Sequence, residues 1–288
     1  MNDRNPAFPE LSGTAATRDT LHAYCRVLSA LRRAHAPPHP RWWHVSLRVE
    51  PRGFVMPATS WPGRPDASFG MALDLVDHRL NVVANLDEDP AVGTDVSVSS
   101  IDLREGLSGS ALGDRVVHIL GEAGIAVTPD RERYADETVR RYDPDHAAAW
   151  LAAFQAAECA LGTVRGDLPG ERGPIQLWPH HFDLAFECFG TRQVTYVEDG
   201  EEREATAQIG CGFSSLPSEE GGAWPYFYAT PWPFDETLRQ TVLPSQGAWV
   251  TEGWQGALLP YPEVRARGAS AVEEFCVTVF ELTRSRLE

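Results

Sequence analysis

The chain has 288 residues, a formal net charge of -16, and a globular composition with 43% hydrophobic and 23% charged residues. An acidic chain of this kind repels phosphate backbones, so nucleic acid is not an expected partner. No apolar run approaches the roughly 20 residues of a membrane span. The stretch Met1-Asn2-Asp3-Arg4-Asn5-Pro6 lacks a signal pattern, so we expect a soluble, cytoplasmic protein without a membrane partner.

Every one of the 25 basic residues is arginine, and lysine does not occur. A P-loop nucleotide site and a pyridoxal phosphate Schiff base are both excluded, because each needs a lysine. The arginine pairs Arg32-Arg33 and Arg140-Arg141 are interpreted as helix-end charges or solvated surface. The metal and cofactor content stays open.

The five cysteines are odd in number, and no two have C-x-x-C spacing. Neither a disulfide framework nor a zinc ribbon is therefore indicated. We expect five free thiols in a reducing compartment.

The order of hydrophobic patterns predicts an α+β fold, with mostly antiparallel sheets and about four main helices. In chain order, the predicted elements are a helix over 18–36, strands over 42–50, 68–76, 79–85 and 95–103, a helix over 110–123, a helix opening at Asp143-Pro144, strands over 175–178 and 181–189, short strands only over 190–260, and a helix from Ser270. Thr17 is the predicted cap of the first helix, and Arg52-Gly53 is a predicted turn.

Two related halves are predicted from an internal repeat. His44-Val45-Ser46-Leu47 resembles His181-Phe182-Asp183-Leu184, and each is followed at the same distance by a glycine, Gly53 or Gly190. The order of elements around the two segments also agrees, which favours a duplication over chance similarity. The predicted domains are an arm over 1–16, a first half over 17–125, a connection over 126–142, and a second half with insertions over 143–288.

The chain resembles a bacterial family known only as a domain of unknown function. The segments that carry this resemblance are Asp19-Thr20-Leu21-His22, Trp43-His44-Val45-Ser46-Leu47, Asp77-His78-Arg79-Leu80, Phe182-Asp183-Leu184-Ala185, Phe227-Tyr228-Ala229 with Pro231 and Pro233, and Leu259-Pro260-Tyr261. The resemblance spans nearly the whole chain. It implies no known activity, so no functional residue is transferred from it.

The densest polar cluster is His180-His181 with Asp183. On a strand, His181 and Asp183 would share one face, and the repeat would make His44 equivalent to His181. Two imidazoles and a carboxylate are a possible catalytic set, able to bind a divalent metal or to act as a base with its orienting group. The alternative is a solvated polar sheet face.

The segment around Trp224-Pro225-Tyr226-Phe227-Tyr228 is rich in aromatic residues and proline. Tyr226, Tyr228 and Trp232 are the candidate substrate-binding residues, because such rings form flat apolar walls with polar tips. The same residues can equally form a core in a helix-poor region.

Two functions remain open from the sequence. The first is small-molecule binding or a hydrolytic or metal-assisted reaction in a cleft between the halves. The second is a non-catalytic interaction or scaffold role. A deep pocket with histidines would favour the first, and a flat exposed aromatic patch would favour the second.

Overall fold

The computed structural model describes residues 7–85, 95–217 and 225–288. Its helices are α1 (Ala15–His35), α2 (Gly109–Glu122), α3 (Pro144–Asp167), α4 (Tyr261–Arg267) and α5 (Ala269–Leu287). Its strands are β1 (Arg48–Glu50), β2 (Gly53–Trp61), β3 (Arg64–Asp74), β4 (Arg79–Asn85), β5 (Asp95–Asp102), β6 (Glu171–Arg172), β7 (Gln176–Trp178), β8 (Asp183–Glu198), β9 (Glu201–Ser214), β10 (Tyr226–Trp232), β11 (Ala248–Val250) and β12 (Gly256–Pro260). These helices and two mostly antiparallel sheets confirm the predicted α+β class.

The chain divides into two compact units. The first unit contains Pro9–Ala153 and Gln176–Phe182, and the second contains Met1–Phe8, Phe154–Ile175 and Asp183–Glu288. The change of unit falls within α3. The segment 126–142, predicted as a connection, lies wholly in the first unit.

The first unit contains an antiparallel sheet in the order β1-β2-β3-β4-β5. Helix α1 packs on this sheet through a fully buried stripe that includes Leu21, Cys25 and Leu28, as its apolar spacing predicts. The predicted turn at Arg52-Gly53 is correct only in part, because Gly53 already begins β2. Strand β2 was missed because Pro57 interrupts its pattern, and its register with β3 shifts beside that proline.

His44 does not lie on a strand, contrary to the prediction for residues 42–50. Trp43–Val45 form a 3-10 turn after Trp42, and β1 begins only at Arg48. The last carbonyl oxygen of this turn, that of Val45, bonds to α1 instead of to a neighbouring strand. The Ser29 hydroxyl donates to the Val45 carbonyl oxygen over 2.7 Å.

His181 is also in a turn, so its predicted strand face with Asp183 is wrong. The turn covers residues 179–182 and ends at Phe182, whose φ is 47°. A positive φ ends the extended conformation, and β8 starts only at Asp183.

The second unit contains a sheet that follows the path β11-β12-β10-β9-β8-β6. The prediction of short strands only over 190–260 is wrong, because β8 has 16 residues and β9 has 14. One face of this sheet is apolar and packs against α5. Phe154 of α3 contacts Phe213 edge-on, with ring centroids 5.4 Å apart.

The predicted arm over 1–16 is described only from residue 7 onward, and this part includes buried side chains and the first residues of α1; residues 1–6 lie outside the described residues. Phe8 is buried and contacts Phe227 and Tyr261 edge-on, with ring centroids 5.8 Å apart in each pair. Helix α1 begins at Ala15 after Thr14, so the predicted Thr17 cap is wrong.

The starts of α3 and α5 can be compared with the starts predicted from the sequence. Helix α3 begins at Pro144, as the pair Asp143-Pro144 predicts, and the Asp143 carboxylate accepts the backbone N–H groups of Asp145 and His146. The helix start predicted at Ser270 is wrong by one residue. Helix α5 begins one residue earlier, after Gly268, whose φ is 82°.

Each unit contains the order helix, antiparallel strands, helix. An internal duplication predicts this order, and the duplication itself stays a prediction. All five cysteines are free, and Cys159 is the exposed one.

Helix α3 has the length and composition of a membrane span, with a mean hydropathy of 1.2 over its most apolar window. That window is 56% buried, as in the core helix of a folded domain. This feature is weak support for a membrane, and the absence of a membrane partner stays a prediction.

Candidate functional site

The six residues predicted for a site separate into two groups. His44 and His181 belong to the first unit, whereas Asp183, Tyr226, Tyr228 and Trp232 belong to the second.

A tyrosine and a carboxylate meet on the second sheet. Strand register places Asp183 opposite Ser214, and Ser214 opposite Tyr226, while Gly212 lies between Ala185 and Tyr228. Asp183, Tyr226 and Tyr228 therefore occupy one sheet face, because alternate residues of paired strands point the same way.

Glycines make room for the aromatic rings on this face. A Cβ atom on Gly212 would lie 2.4 Å from the Tyr228 ring, and one on Gly256 would lie 2.4 Å from the Trp254 ring. The rings thus lie directly on the sheet backbone. They are packed elements of the sheet, which supports the core alternative for Tyr226 and Tyr228.

The Tyr228 hydroxyl donates a hydrogen bond to the Asp183 carboxylate. Burial raises the pKa of Tyr228 well above its ordinary value of 10.0, and the negative charges of Asp183 and Glu187 raise the pKa further. Tyr228 is therefore held as a neutral donor to Asp183. Trp232 lies elsewhere on the strand and contacts Tyr196 edge-on, with centroids 5.4 Å apart.

We expect Tyr228→Phe to lower the free energy of unfolding by about 1–3 kcal/mol near neutral pH, since Asp183 loses a donor. A tyrosine whose folded pKa is raised stabilises the fold fully below its unfolded pKa, and that contribution is lost as pH rises through the folded pKa. The difference between wild type and Tyr228→Phe should therefore shrink above about pH 10. Urea denaturation across pH measures it. Tyr196→Phe is the control and should stay within about 0.5 kcal/mol of wild type; an unchanged gap at alkaline pH would contradict the prediction.

A second group of side chains lies in the first unit and is called here the histidine–arginine cluster: His22, Arg26, Arg33, His44, His180 and His181. His22, Arg26 and Arg33 stand at i, i+4 and i+11 of α1, so they share one helix face. The three remaining histidines come from the turns at 43–45 and 179–182.

Both turns contain a large aromatic residue in the left-handed backbone region. Trp42 has a φ of 59° and Phe182 a φ of 47°. Bulky residues adopt this conformation only when their surroundings enforce it, and such strain concentrates at binding and catalytic sites. Contacts with α1 provide that enforcement. The Arg33 guanidinium carbon lies 4.8 Å from the Trp42 ring centroid, and His22 stacks on Phe182 with centroids 5.5 Å apart.

Three histidines of the cluster, His22, His44 and His180, have lowered pKa values. His180 is exposed at its edge, but partial burial of its ring lowers its pKa to about 4, and the positive charges of His181, Arg33 and Arg26 add to the effect. Burial and then Arg26 lower the pKa of His22 to about 4. Burial, followed by Arg33 and Arg32, also lowers the pKa of His44.

The two arginines of the cluster have no carboxylate partner among the residues that the structure describes. Across 7–85, 95–217 and 225–288, the side chains of Arg26 and Arg33 form no ion pair and no hydrogen bond, although both are half-buried. The Nε2 atom of His22 is buried and also has no hydrogen-bond partner in those ranges. Buried polar groups in proteins usually have such partners, so the cluster has unused donor capacity.

The sequence identified His44 and His181 as candidate residues but not Arg26. It did not indicate that His180 lies near α1. Arg33 was interpreted as a helix-end charge or solvated surface. The helical spacing of His22, Arg26 and Arg33 was visible in the sequence. The two turns that face this helix were not.

The described side chains include no group of three His, Cys, Asp or Glu that could hold a metal ion. The divalent-metal form of the His44, His181 and Asp183 hypothesis therefore has no structural support in those residues.

By its fold, the chain is an α+β protein with two mostly antiparallel sheets. The chain belongs to the family of unknown function DUF5996, which it matches over residues 6–286. No curated protein and no solved structure matches the chain significantly.

Proposed function

We propose that the protein binds a small anionic molecule at the histidine–arginine cluster. The observation that carries this proposal is the pair of half-buried arginines, Arg26 and Arg33, which share one face of α1 without a carboxylate partner among the described residues. Burial, followed by Arg133, lowers the pKa of Arg33, so its charge is poorly compensated. An anion would supply the missing charge and accept the free N–H groups.

The cluster can be reached by a ligand. His180 and His181 are exposed, and Trp42 is 55% exposed beside Arg33. The chain as a whole is acidic, with a net charge of -16. A local positive site in such a field disfavours extended polyanions and suits a small ligand.

The exposed large hydrophobic residues give less support to a scaffold role. Those in the described ranges are Trp42, Val76, Val139, Val197 and Val242, and they come from separate parts of the sequence. Single exposed apolar residues are normal on a protein surface. An enzymatic reaction stays a prediction.

Sulfate is a suitable probe of the proposed site. Isothermal titration near pH 6 should show saturable binding to the wild type, and Arg26→Gln or Arg33→Gln should each weaken it at least about tenfold. The reason is that each substitution removes a charged hydrogen-bond donor worth about 1.5–3 kcal/mol.

Arg115→Gln provides the matched control, because Arg115 is an exposed arginine of α2 that pairs with Glu105 over 2.6 Å. It should bind sulfate like the wild type. The Arg26→Gln protein without sulfate should be at least as stable as wild type, since it loses a half-buried charge that has no described partner. Equal sulfate binding by wild type and both cluster variants would refute the proposed function.

A further inference from the structure

Resting on this anion-binding function, we infer that the cluster takes a doubly charged oxyanion of the phosphate monoester class, and that binding is coupled to uptake of a proton by His180, whose ring contacts that of His181. The inference adds a ligand class and a mode of regulation to the site.

The number and type of donors favour a tetrahedral dianion over a carboxylate. Arg26 and Arg33 together carry two fixed positive charges, and a guanidinium offers five N–H donors in a planar fork. A carboxylate has one charge and two oxygens, so it would leave charge and donors unused. A phosphate group on an ester has three terminal oxygens and a charge near minus two.

Two described carboxylates act on the cluster, and both already form ion pairs with other arginines. Asp19, which acts on His22, forms a 2.7 Å ion pair with Arg18. Asp130, which acts on Arg33, forms a 3.2 Å ion pair with Arg133. These carboxylates therefore reduce the positive field of the cluster without neutralising it.

The two exposed histidines are in ring contact. The centroids of His180 and His181 lie 3.8 Å apart, with their planes at 46°. The positive charges of His181, and of Arg33 and Arg26 from α1, oppose a proton on His180. A dianion placed against these groups reverses the local sign of the field and favours a protonated imidazole.

The direction of the pH dependence follows from linkage. In the free protein the pKa of His180 is lowered to about 4, and a bound dianion raises it. Between the two pKa values the complex holds one proton more than the free protein. Affinity should therefore rise as pH falls through the higher, bound-state pKa, by up to about tenfold per pH unit, and should level off below about pH 4.

Sulfate is a suitable ligand for this test because it stays doubly charged across this pH range. Any proton taken up on binding is therefore bound by the protein and not by the ligand. Isothermal titration of the wild type with sulfate in two buffers of different ionisation enthalpy, near about pH 6, should show net proton uptake on binding. His180→Gln should abolish most of this uptake while Arg26 and Arg33 still hold the anion. His118→Gln, which changes an exposed histidine of α2, should behave like wild type.

A second titration compares sulfate with acetate at constant ionic strength. Acetate should bind at least about tenfold more weakly, since it meets only one of the two fixed charges. Circular dichroism of each variant shows that it is folded.

The outcomes separate the two proposals. Sulfate binding that depends on Arg26 and Arg33 but shows no proton uptake and equal affinity at about pH 5 and about pH 8 would refute the coupling and leave the proposed function standing. Equal affinity for acetate would refute the dianion class. Sulfate binding that does not depend on either arginine would refute both proposals.

Discussion

Replacing Gly53 by alanine is expected to destabilise the protein by at least about 3 kcal/mol. Gly53 begins β2 with a φ of 155°, and a Cβ atom there would lie 1.8 Å from the carbonyl oxygen of Leu73. That oxygen belongs to the backbone of the neighbouring strand β3 and cannot rotate away. Relief requires β2 and β3 to separate locally, which breaks their pairing at the start of the sheet.

Urea denaturation followed by circular dichroism measures this loss. Gly121→Ala is the control, because no atom lies within 4 Å of a Cβ there and Gly121 is in α2. A helical glycine replaced by alanine stabilises by about 0.5–1 kcal/mol, so the control should shift in the opposite direction. A Gly53→Ala protein as stable as wild type would show that the close approach is absent.

Replacing Phe182 by alanine is expected to lower the free energy of unfolding by about 3–5 kcal/mol. Phe182 is fully buried in the first unit. Its ring stacks on His22 and contacts Phe54 edge-on, with centroids 5.8 Å apart in the second pair. Truncation leaves a cavity between α1 and β2, and the strained backbone at this position is no longer held by the ring.

The same substitution should also weaken sulfate binding, because Phe182 fixes the turn that carries His180 and His181. Arg26→Gln should weaken sulfate binding without lowering the free energy of unfolding. Comparing the two variants therefore separates a residue that supports the site from one that contacts the anion. Val197→Ala is the control for stability, since Val197 is 70% exposed and should change it by less than about 0.5 kcal/mol. A Phe182→Ala protein with wild-type stability would contradict the packing described for this turn.

The sequence predicted correctly those helices and strands whose conformation is determined by residues within the element itself. The periodic stripe of α1, the aspartate cap of α3 and the alternation of β4 are of this kind, and β4 has its predicted bounds of Arg79–Asn85. The turn at Trp43–Val45 could not be predicted in this way, since its alternating residues resemble a strand. Hydrogen bonds from α1 decide its conformation.

The candidate sites show the same limit. Asp183 and Tyr228 were both named from the sequence, but their contact depends on the register of three strands. Arg26 and Arg33 of α1 were visible in the sequence only as charges at helical spacing. Their lack of a carboxylate partner in the described residues is a property of tertiary structure, and no spacing rule reveals it.

The length of the β8–β9 hairpin has a consequence for behaviour at high concentration. β10 pairs with β9 only as far as Gln208, so in the described structure the outer edge of residues 201–206 meets no further strand. An open edge of this kind invites strand addition from another molecule and, with it, aggregation. The tip carries Glu198, Asp199, Glu201, Glu202 and Glu204, all exposed. Like charges on two such edges repel, so the ribbon can project from the sheet while remaining a poor template for fibre growth.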